Sequence, residues 1–440
     1  MKNINPLVSL EDVISCLSSY DPDSIRVDEA QDIINTMARG SLTSLAVEKV
    51  SLRSTLGRIL ARDIISPVNV PYQDNAAMDG YAFNGSIISD SDERLVTLEN
   101  RGVLLAGRVA EGVCVIGECF QIMTGAPMPH NTDTVVPQEF IEKQGQKIKF
   151  LRTAVAKGDN RRKRGEDLKK DSVALQKGRI IRACDLGLLA SLGLVEIEVY
   201  RKLRIAFFST GDELRSIGDQ LNEGGVYDSN RYSLYGMLTK LGFDLLDMGV
   251  IADNSVDLKK AFSIAAKNAD AVITTGGVSV GDADYTKEVM KELGKVEFWK
   301  IAMRPGRPMA FGQIVSNRGT EDENSALLFG LPGNPVAVMI TFYIFVQHAL
   351  LQMAGSNESM LKMQSVKLRE TIKKKPGRIE YRRAKFVGCD NALEVVLTGH
   401  QGSGILRSMT EADCLIVLEH DREKFEAGNI VPAFIFDGLI

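Results

Sequence analysis

Between residues 202 and 355 strand and helix signals alternate, and this alternation restricts the possible folds more than any other feature of the sequence. Residues 203–209 form an apolar strand candidate that runs into the turn sequence STGDE at 209–213. Leu234, Met237, Leu238 and Leu241 then recur at helical spacing, residues 244–251 read as a strand, and Leu258, Ala261, Phe262 and Ala265 mark a second amphipathic helix. Residues 271–275 are a short buried strand entering TTGGVSVGDADY at 274–285, with a helix from 284 to 293. Residues 296–303 are a further strand ending in MRPGRP at 303–308, and 327–331 leads through GLPGNP at 330–335 into a long helix. Such an order gives a central doubly wound, mainly parallel α/β domain with helices on both faces of the sheet.

The flanks have other patterns. From 66 to 167 short β-like runs (94–98, 103–106, 119–123, 134–138 and 147–151) are broken by Gly, Pro and Asn, as in a small β domain. Residues 32–37, 56–61 and 184–192 read as helical, so the β segment is inserted into a helical domain. Alternating runs at 393–397, 414–418 and 431–436 indicate a terminal β-barrel-like domain. The expected organisation is an N-terminal extension (1–26), a discontinuous helical domain (27–65 and 168–200), the inserted β domain (66–167), the α/β domain (201–355) and the C-terminal β domain (356–440).

Composition removes several function classes. A net charge of −4 argues against nucleic acid as the main partner, because phosphate backbones demand a basic surface. The six cysteines include no CxxC pair, which speaks against a disulfide framework or zinc ribbon and for reduced thiols in a cytoplasmic protein. The four histidines lie far apart without HExxH spacing, so a hard, oxygen-liganded ion is favoured over zinc. The first residues carry Glu11 and Asp12 and no long apolar core, unlike a signal peptide. The most apolar run, 336–346, is too short to span a bilayer and reads as a buried helix.

In an open parallel sheet ligands bind beyond the carboxyl ends of the strands, where helix N-termini and glycine turns present N–H groups. STGDE, TTGGVSVGDADY, MRPGRP and GLPGNP all converge on that edge. Any one of these glycines makes a tight turn; four such loops together point to a phosphate pocket. Its candidate contacts are Ser209, Thr210, Gly211, Thr275, Gly276, Gly277, Ser279, Gly333 and Asn334. The same loops carry Asp212, Glu213, Asp253, Asp282 and Asp284. Carboxylates beside a phosphate make sense when a hard cation such as Mg²⁺ bridges the two, although Asp284 fits a helix cap equally well. Elsewhere, PYQDNAAMDGYAF at 71–83 is turn-rich yet carries Met78, Tyr81 and Phe83, an unusual mix for a solvated loop. NRRKRGEDL at 160–168 concentrates positive charge, as a solvated basic turn also would. The basic stretch around Arg382 and Arg383, with GHQGSG at 399–404, offers groups for an oxyanion smaller than a nucleotide.

In order, DNAAMDGYAF, MTGAPMP, NRRKRGEDL, STGDEL, YDSNR, TTGGVSVGDADYTK, FWKIAMRPGRPMAFG, GLPGNPV, PGRIEYRRA and GHQGS resemble the molybdopterin molybdenumtransferase family over nearly the whole chain. The first 25 residues or so lie outside the resemblance. Molybdopterin adenylyltransferases resemble only the βαβα region, and no such domain is fused here. The resemblance implies four domains and an elongated homodimer whose shared active sites lie between the α/β and C-terminal domains of one subunit and the inserted domain of the other. It implies catalytic roles for Asp79, Asp167, Glu213, Asp253 and Asp284, with Glu213, Asp253 and Asp284 as the Mg²⁺ candidates. Lys300, Arg304, Arg307, Arg383 and Ser403 fall where the family binds molybdate. Two departures stand out: Arg304 and Arg307 replace the lysines of a KPGKP-type loop, and Ala337 replaces a small hydroxyl residue. Arginine's planar fork also fits a tetrahedral oxyanion, so molybdate binding is expected to survive.

The reaction implied is molybdate plus adenylyl-molybdopterin giving molybdenum cofactor and AMP. The implied partners are a second copy of the chain and, transiently, a separate molybdopterin adenylyltransferase and molybdoenzyme maturation factors, with no nucleic acid and no membrane. A scaffold that keeps the fold without turnover is disfavoured by the carboxylates, and an adenylyltransferase by the flanking motifs.

Overall fold

The computed structural model describes residues 10–15, 21–41, 45–89, 94–278, 285–321, 323–358, 362–388 and 393–436. The chain separates into two compact units: Arg62–Lys177 with Ala183–Glu196, and Met1–Ala61 with Gly178–Arg182 and Ile197–Ile440.

The first unit is built on a six-stranded sheet of Gly80–Phe83 (β1), Leu95–Leu104 (β2), Glu118–Ile122 (β3), Thr134–Pro137 (β4), Glu142–Gln144 (β5) and Lys147–Leu151 (β6), in the order β4-β1-β3-β2-β6-β5. Alternate residues fill two small cores, one around Tyr81, Phe83 and Phe150, the other around Ala82, Ile122 and Val135. The runs at 94–98 and 103–106 are one strand interrupted by a register shift between Asn100 and Val103, which breaks the alternation seen in the sequence.

The second unit contains the α/β sheet: Arg204–Thr210 (β7), Asp244–Ile251 (β8), Ala271–Thr275 (β9), Gly294–Lys300 (β10), Pro308–Ser316 (β11) and Asn324–Leu331 (β12), in the order β8-β7-β9-β12-β11-β10. β8, β7, β9 and β12 are parallel, while β11 runs antiparallel to both β12 and β10. Successive residues of β7 serve opposite cores. Ile205 and Phe207 join one cluster with Leu234 and Phe329, and Ala206 and Phe208 join another with Leu258, Phe262 and Met290. Both faces are therefore covered, by Ser229–Lys240 (α1 of the sheet-covering helices), Ser255–Asn268 (α2) and Tyr285–Leu293 (α3) among others.

One strand is absent from the sequence reading, and one expectation is corrected. β11 was hidden because PMAFGQIVS begins with Pro308 and contains Gly312, both poor strand formers. Pro308 is tolerated as the first residue of its strand, and at Gly312 a Cβ would lie 2.1 Å from the Lys295 carbonyl oxygen. The RPGRP segment consequently lies in the connection from β10 to β11. Residues 56–61, expected to be helical, are not: Leu56 and Gly57 form a turn, after which Ile59 bridges Ile180 and Leu60 bridges Val199. There tertiary pairing overrides a helical apolar spacing.

Upstream, Val27–Ser41 is a helix whose Ala30, Ile33, Ile34, Met37 and Ala38 form a buried stripe. The helix Pro335–Met353 includes a π turn over Phe342–Val346. It is, among the described residues, the one helix long and apolar enough to cross a membrane, yet 89% of its apolar window is buried inside the protein. The chain ends in a barrel of Met363–Leu368 (β13), Ile379–Val387 (β14), Glu394–Leu397 (β15), Cys414–Leu418 (β16) and Ile430–Ile435 (β17). The ring β14-β15-β13-β17-β16 closes through β14–β16 pairing, and Met303–Arg304 adds alongside β14.

Candidate active site

The carboxyl ends of β7, β8, β9 and β12, the turn after β10 and the loop after β15 surround a cavity of about 630 Å³. Thr210, Gly211, Glu213, Asp253, Gly276, Gly277, Arg304, Arg307, Gly333, Asn334, Ala337, Gln401 and Ser403 are among its lining residues. Parallel strands all point the same way, so residues more than a hundred positions apart in sequence meet at one edge.

The glycines are required there. Gly276 and Gly277 have φ of +88° and +63°, and added Cβ atoms would lie 2.2 Å from the Thr210 carbonyl oxygen and 2.3 Å from Thr286 Oγ1. Ser209 and Thr275, both expected to touch phosphate, are instead fully buried below the lining and bonded to each other at 3.0 Å. Ser209 Oγ also donates to Asp228 at 3.0 Å. The hydroxyl of Thr210, which does line the cavity, is buried and has no hydrogen-bond partner among the described residues.

Glu213 and Asp253 supply two carboxylates to this cavity. Glu213 lies close over Gly211, where a Cβ would come within 2.7 Å of its Oε2, and the Asp253 N–H donates to Asp212 Oδ1 at 3.3 Å. Ser279, Asp282 and Asp284 lie outside the described residues. Among those described, no three His, Cys, Asp or Glu side chains are grouped to hold a metal ion by themselves. Two carboxylates fit a hard cation such as Mg²⁺, which commonly takes one or two from the protein and completes its shell with water and phosphate oxygen.

The cationic groups divide. Arg304 and Arg307 are exposed and line the cavity. Arg304 lies 3.9 Å from Glu380, a carboxylate 2% exposed that also pairs with Arg382 at 2.8 Å. Lys300 is not among the lining residues; its Nζ pairs with Asp23 at 2.6 Å and holds that carboxyl below its ordinary range. Arg383 requires the larger correction. It is 1% exposed, and its guanidinium donates to Ser408 Oγ at 2.9 Å and to the carbonyls of Gln401, His400 and Gly402 at 3.2, 3.3 and 3.0 Å. Burial, with Arg382 and Arg304 nearby, pushes its pKa down to about 10. A fork engaged in this way shapes the GHQGS loop, and Arg383 is not among the residues that line the cavity. Ser403 does line the cavity, and its carbonyl accepts the N–H of Val336 at 3.1 Å, joining this loop to the start of the GNP helix.

Gln401 was not singled out from the sequence, although its motif was. It lines the cavity, and its amide accepts from Arg383 N at 2.9 Å and donates to Thr398 O at 2.7 Å. Asp79 and Asp167 belong to the other unit. The N–H and hydroxyl of Thr124 both donate to Asp79 at 2.7 Å, keeping its carboxyl below the usual range. Asp167 is exposed, and its N–H donates to Val70 O at 3.0 Å.

A mainly parallel sheet with a cavity at its carboxyl edge lined by glycine turns, followed by a small barrel, defines a multidomain α/β protein with a candidate ligand site. Three family profiles match it in succession: "MoeA N-terminal region (domain I and II)" over 25–193, "Probable molybdopterin binding domain" over 206–352 and "MoeA C-terminal region (domain IV)" over 365–436. The chain is 38% identical to a molybdopterin molybdenumtransferase of Haemophilus influenzae, over 89% of this chain and 95% of that protein. It is 31% identical to the Staphylococcus aureus protein of that name, over 93% and 95%. A crystal structure of a molybdopterin biosynthesis moeA protein from Pyrococcus horikoshii superposes with a TM-score of 0.78 at 27% identity, covering 94% of this chain and all of that one. The chain belongs to the MoeA family, the family of the molybdopterin molybdenumtransferases.

Proposed function

We propose that this chain inserts molybdenum from molybdate into adenylyl-molybdopterin, forming molybdenum cofactor and releasing AMP. The observation that carries this reading is the meeting in one cavity of glycine loops, two carboxylates and two arginines. The glycine loops suit the substrate's phosphates, and Arg304, Arg307 and Ser403 suit molybdate, a dianion of similar shape. Glu213 and Asp253, together with Asp284, are the side chains proposed to hold Mg²⁺. When bound, this ion supplies positive charge against the phosphoanhydride that breaks between pterin phosphate and AMP.

In the same reading the protein is a cytoplasmic homodimer, and Asp79 and Asp167 complete the site of the partner subunit. Adenylyl-molybdopterin comes by transient contact with a separate molybdopterin adenylyltransferase, and the product leaves with molybdoenzyme maturation factors. Nucleic acid and membrane have no role. The test is AMP release from adenylyl-molybdopterin on molybdate addition, with and without Mg²⁺. Release that needs both ions is expected; tight substrate binding without AMP in any ion condition would sink the transferase reading.

A further inference from the structure

One motif is used neither by the cavity lining nor by the chemistry just described: YDSNR, at the start of the helix Ser229–Lys240. We propose that Asp228 and Asn230 are positioning residues that lock the cavity's glycine loops to one another, so that the phosphate site is formed before ligand arrives.

Asp228 is 2% exposed, and its Oδ1 accepts from Ser209 Oγ at 3.0 Å and from the N–H of Arg231 at 3.1 Å, capping the helix. Ser209 is bonded in turn to Thr275 at 3.0 Å, which ties the end of β7 to the end of β9. Arg231 extends the network sideways, with Nε 3.3 Å from Asp228 Oδ2 and one terminal nitrogen 3.1 and 2.9 Å from the two oxygens of Asp247 on β8. Two positions after Asp228, the Asn230 amide donates to the Gly333 carbonyl at 2.8 Å, and Gly333 lines the cavity after β12. One helix start thus fastens the ends of β7 and β9 and the loop following β12. A buried carboxylate satisfied by donors from different elements resists displacement, because moving any one loop leaves a buried polar group unmatched.

Among the described residues Arg304 and Arg307 make no hydrogen bond to this network, and Ser403 meets it only through the N–H of Val336, beyond the Gly333 carbonyl that Asn230 holds, so its loss acts chiefly on one ligand. Resting on the transferase reading, the inference is that the network sets affinity for the pterin phosphates and leaves molybdate affinity alone.

The test uses Asn230→Ala and the size-conserving Asn230→Asp in the full-length chain. Amide hydrogen exchange is followed at residues 209–213 and 330–335, and AMP release is titrated separately with each substrate. Asn230→Ala should speed exchange at 330–335 and raise half-saturation for adenylyl-molybdopterin about tenfold, as loss of one buried hydrogen bond does. The half-saturation for molybdate should stay within about twofold, a split that a general loss of structure does not produce. Asn230→Asp should show the same defect at neutral pH, where a carboxylate faces a carbonyl. It should recover relative to the wild-type protein as the pH falls and the acid can donate to Gly333. Unchanged exchange at 330–335, or equal loss for both substrates, overturns the proposal. Faster exchange in a protein whose wild-type form releases no AMP would uphold the lock and refute the transferase reading instead.

Discussion

Arg383 shows how burial reassigns a residue. In the sequence it is one cation of a basic run, but in the fold four hydrogen bonds to Ser408 and the 400–402 carbonyls occupy its guanidinium. Arg383→Ala should therefore lower stability to urea by about 3 kcal/mol, since buried acceptors lose charged donors. Arg383→Lys should rescue little, because an ammonium lacks the planar fork. Ser403→Ala should do the converse, raising the molybdate requirement while leaving stability within about 0.5 kcal/mol. At Gly276 both effects coincide: φ of +88° and a 2.2 Å approach to the Thr210 carbonyl admit no side chain. Gly276→Ala should cost about 3 kcal/mol in denaturant titration and abolish AMP release.

At the scale of elements, the long core helix Pro335–Met353 carries a pH dependence. His348 lies on it, half-buried, with its Nε2 2.9 Å from the Gln352 amide; burial, and then Arg39, lower its pKa below 6.5. Protonation therefore favours the unfolded chain. Its contribution is full above the ordinary value and is lost as the pH falls below it toward the depressed folded value. Thermal midpoints of the wild-type protein and His348→Gln, compared from pH 8 to pH 5, should converge or cross as the pH falls. A constant difference would exclude this histidine. Why β11 escaped detection also belongs at this scale: Pro308 and Gly312 are poor strand residues by propensity, yet a first-residue proline and a close strand approach suit them.

For the whole molecule, the decisive prediction concerns the proposed homodimer. Subunits carrying Asp79→Ala and subunits carrying Asp253→Ala should each be inactive alone, yet mixtures should regain AMP release through one intact site per heterodimer. Continued inactivity after mass spectrometry has confirmed subunit exchange would refute shared sites.

The sequence by itself determined the doubly wound sheet and the loops at its edge, because strand and helix periodicities and glycine turns are local properties of the chain. It also carried the family, through motifs spread from DNAAMDG to GHQGS. Only the tertiary structure decided which member of each motif reaches the cavity. Thr210 lines it while Ser209, one residue earlier on the strand, is buried against Asp228. Ser403 lines it while Arg383 holds that loop from behind. Sequence spacing says where a residue lies along an element, but which way its polar atoms turn depends on the donors and acceptors that distant segments bring beside it.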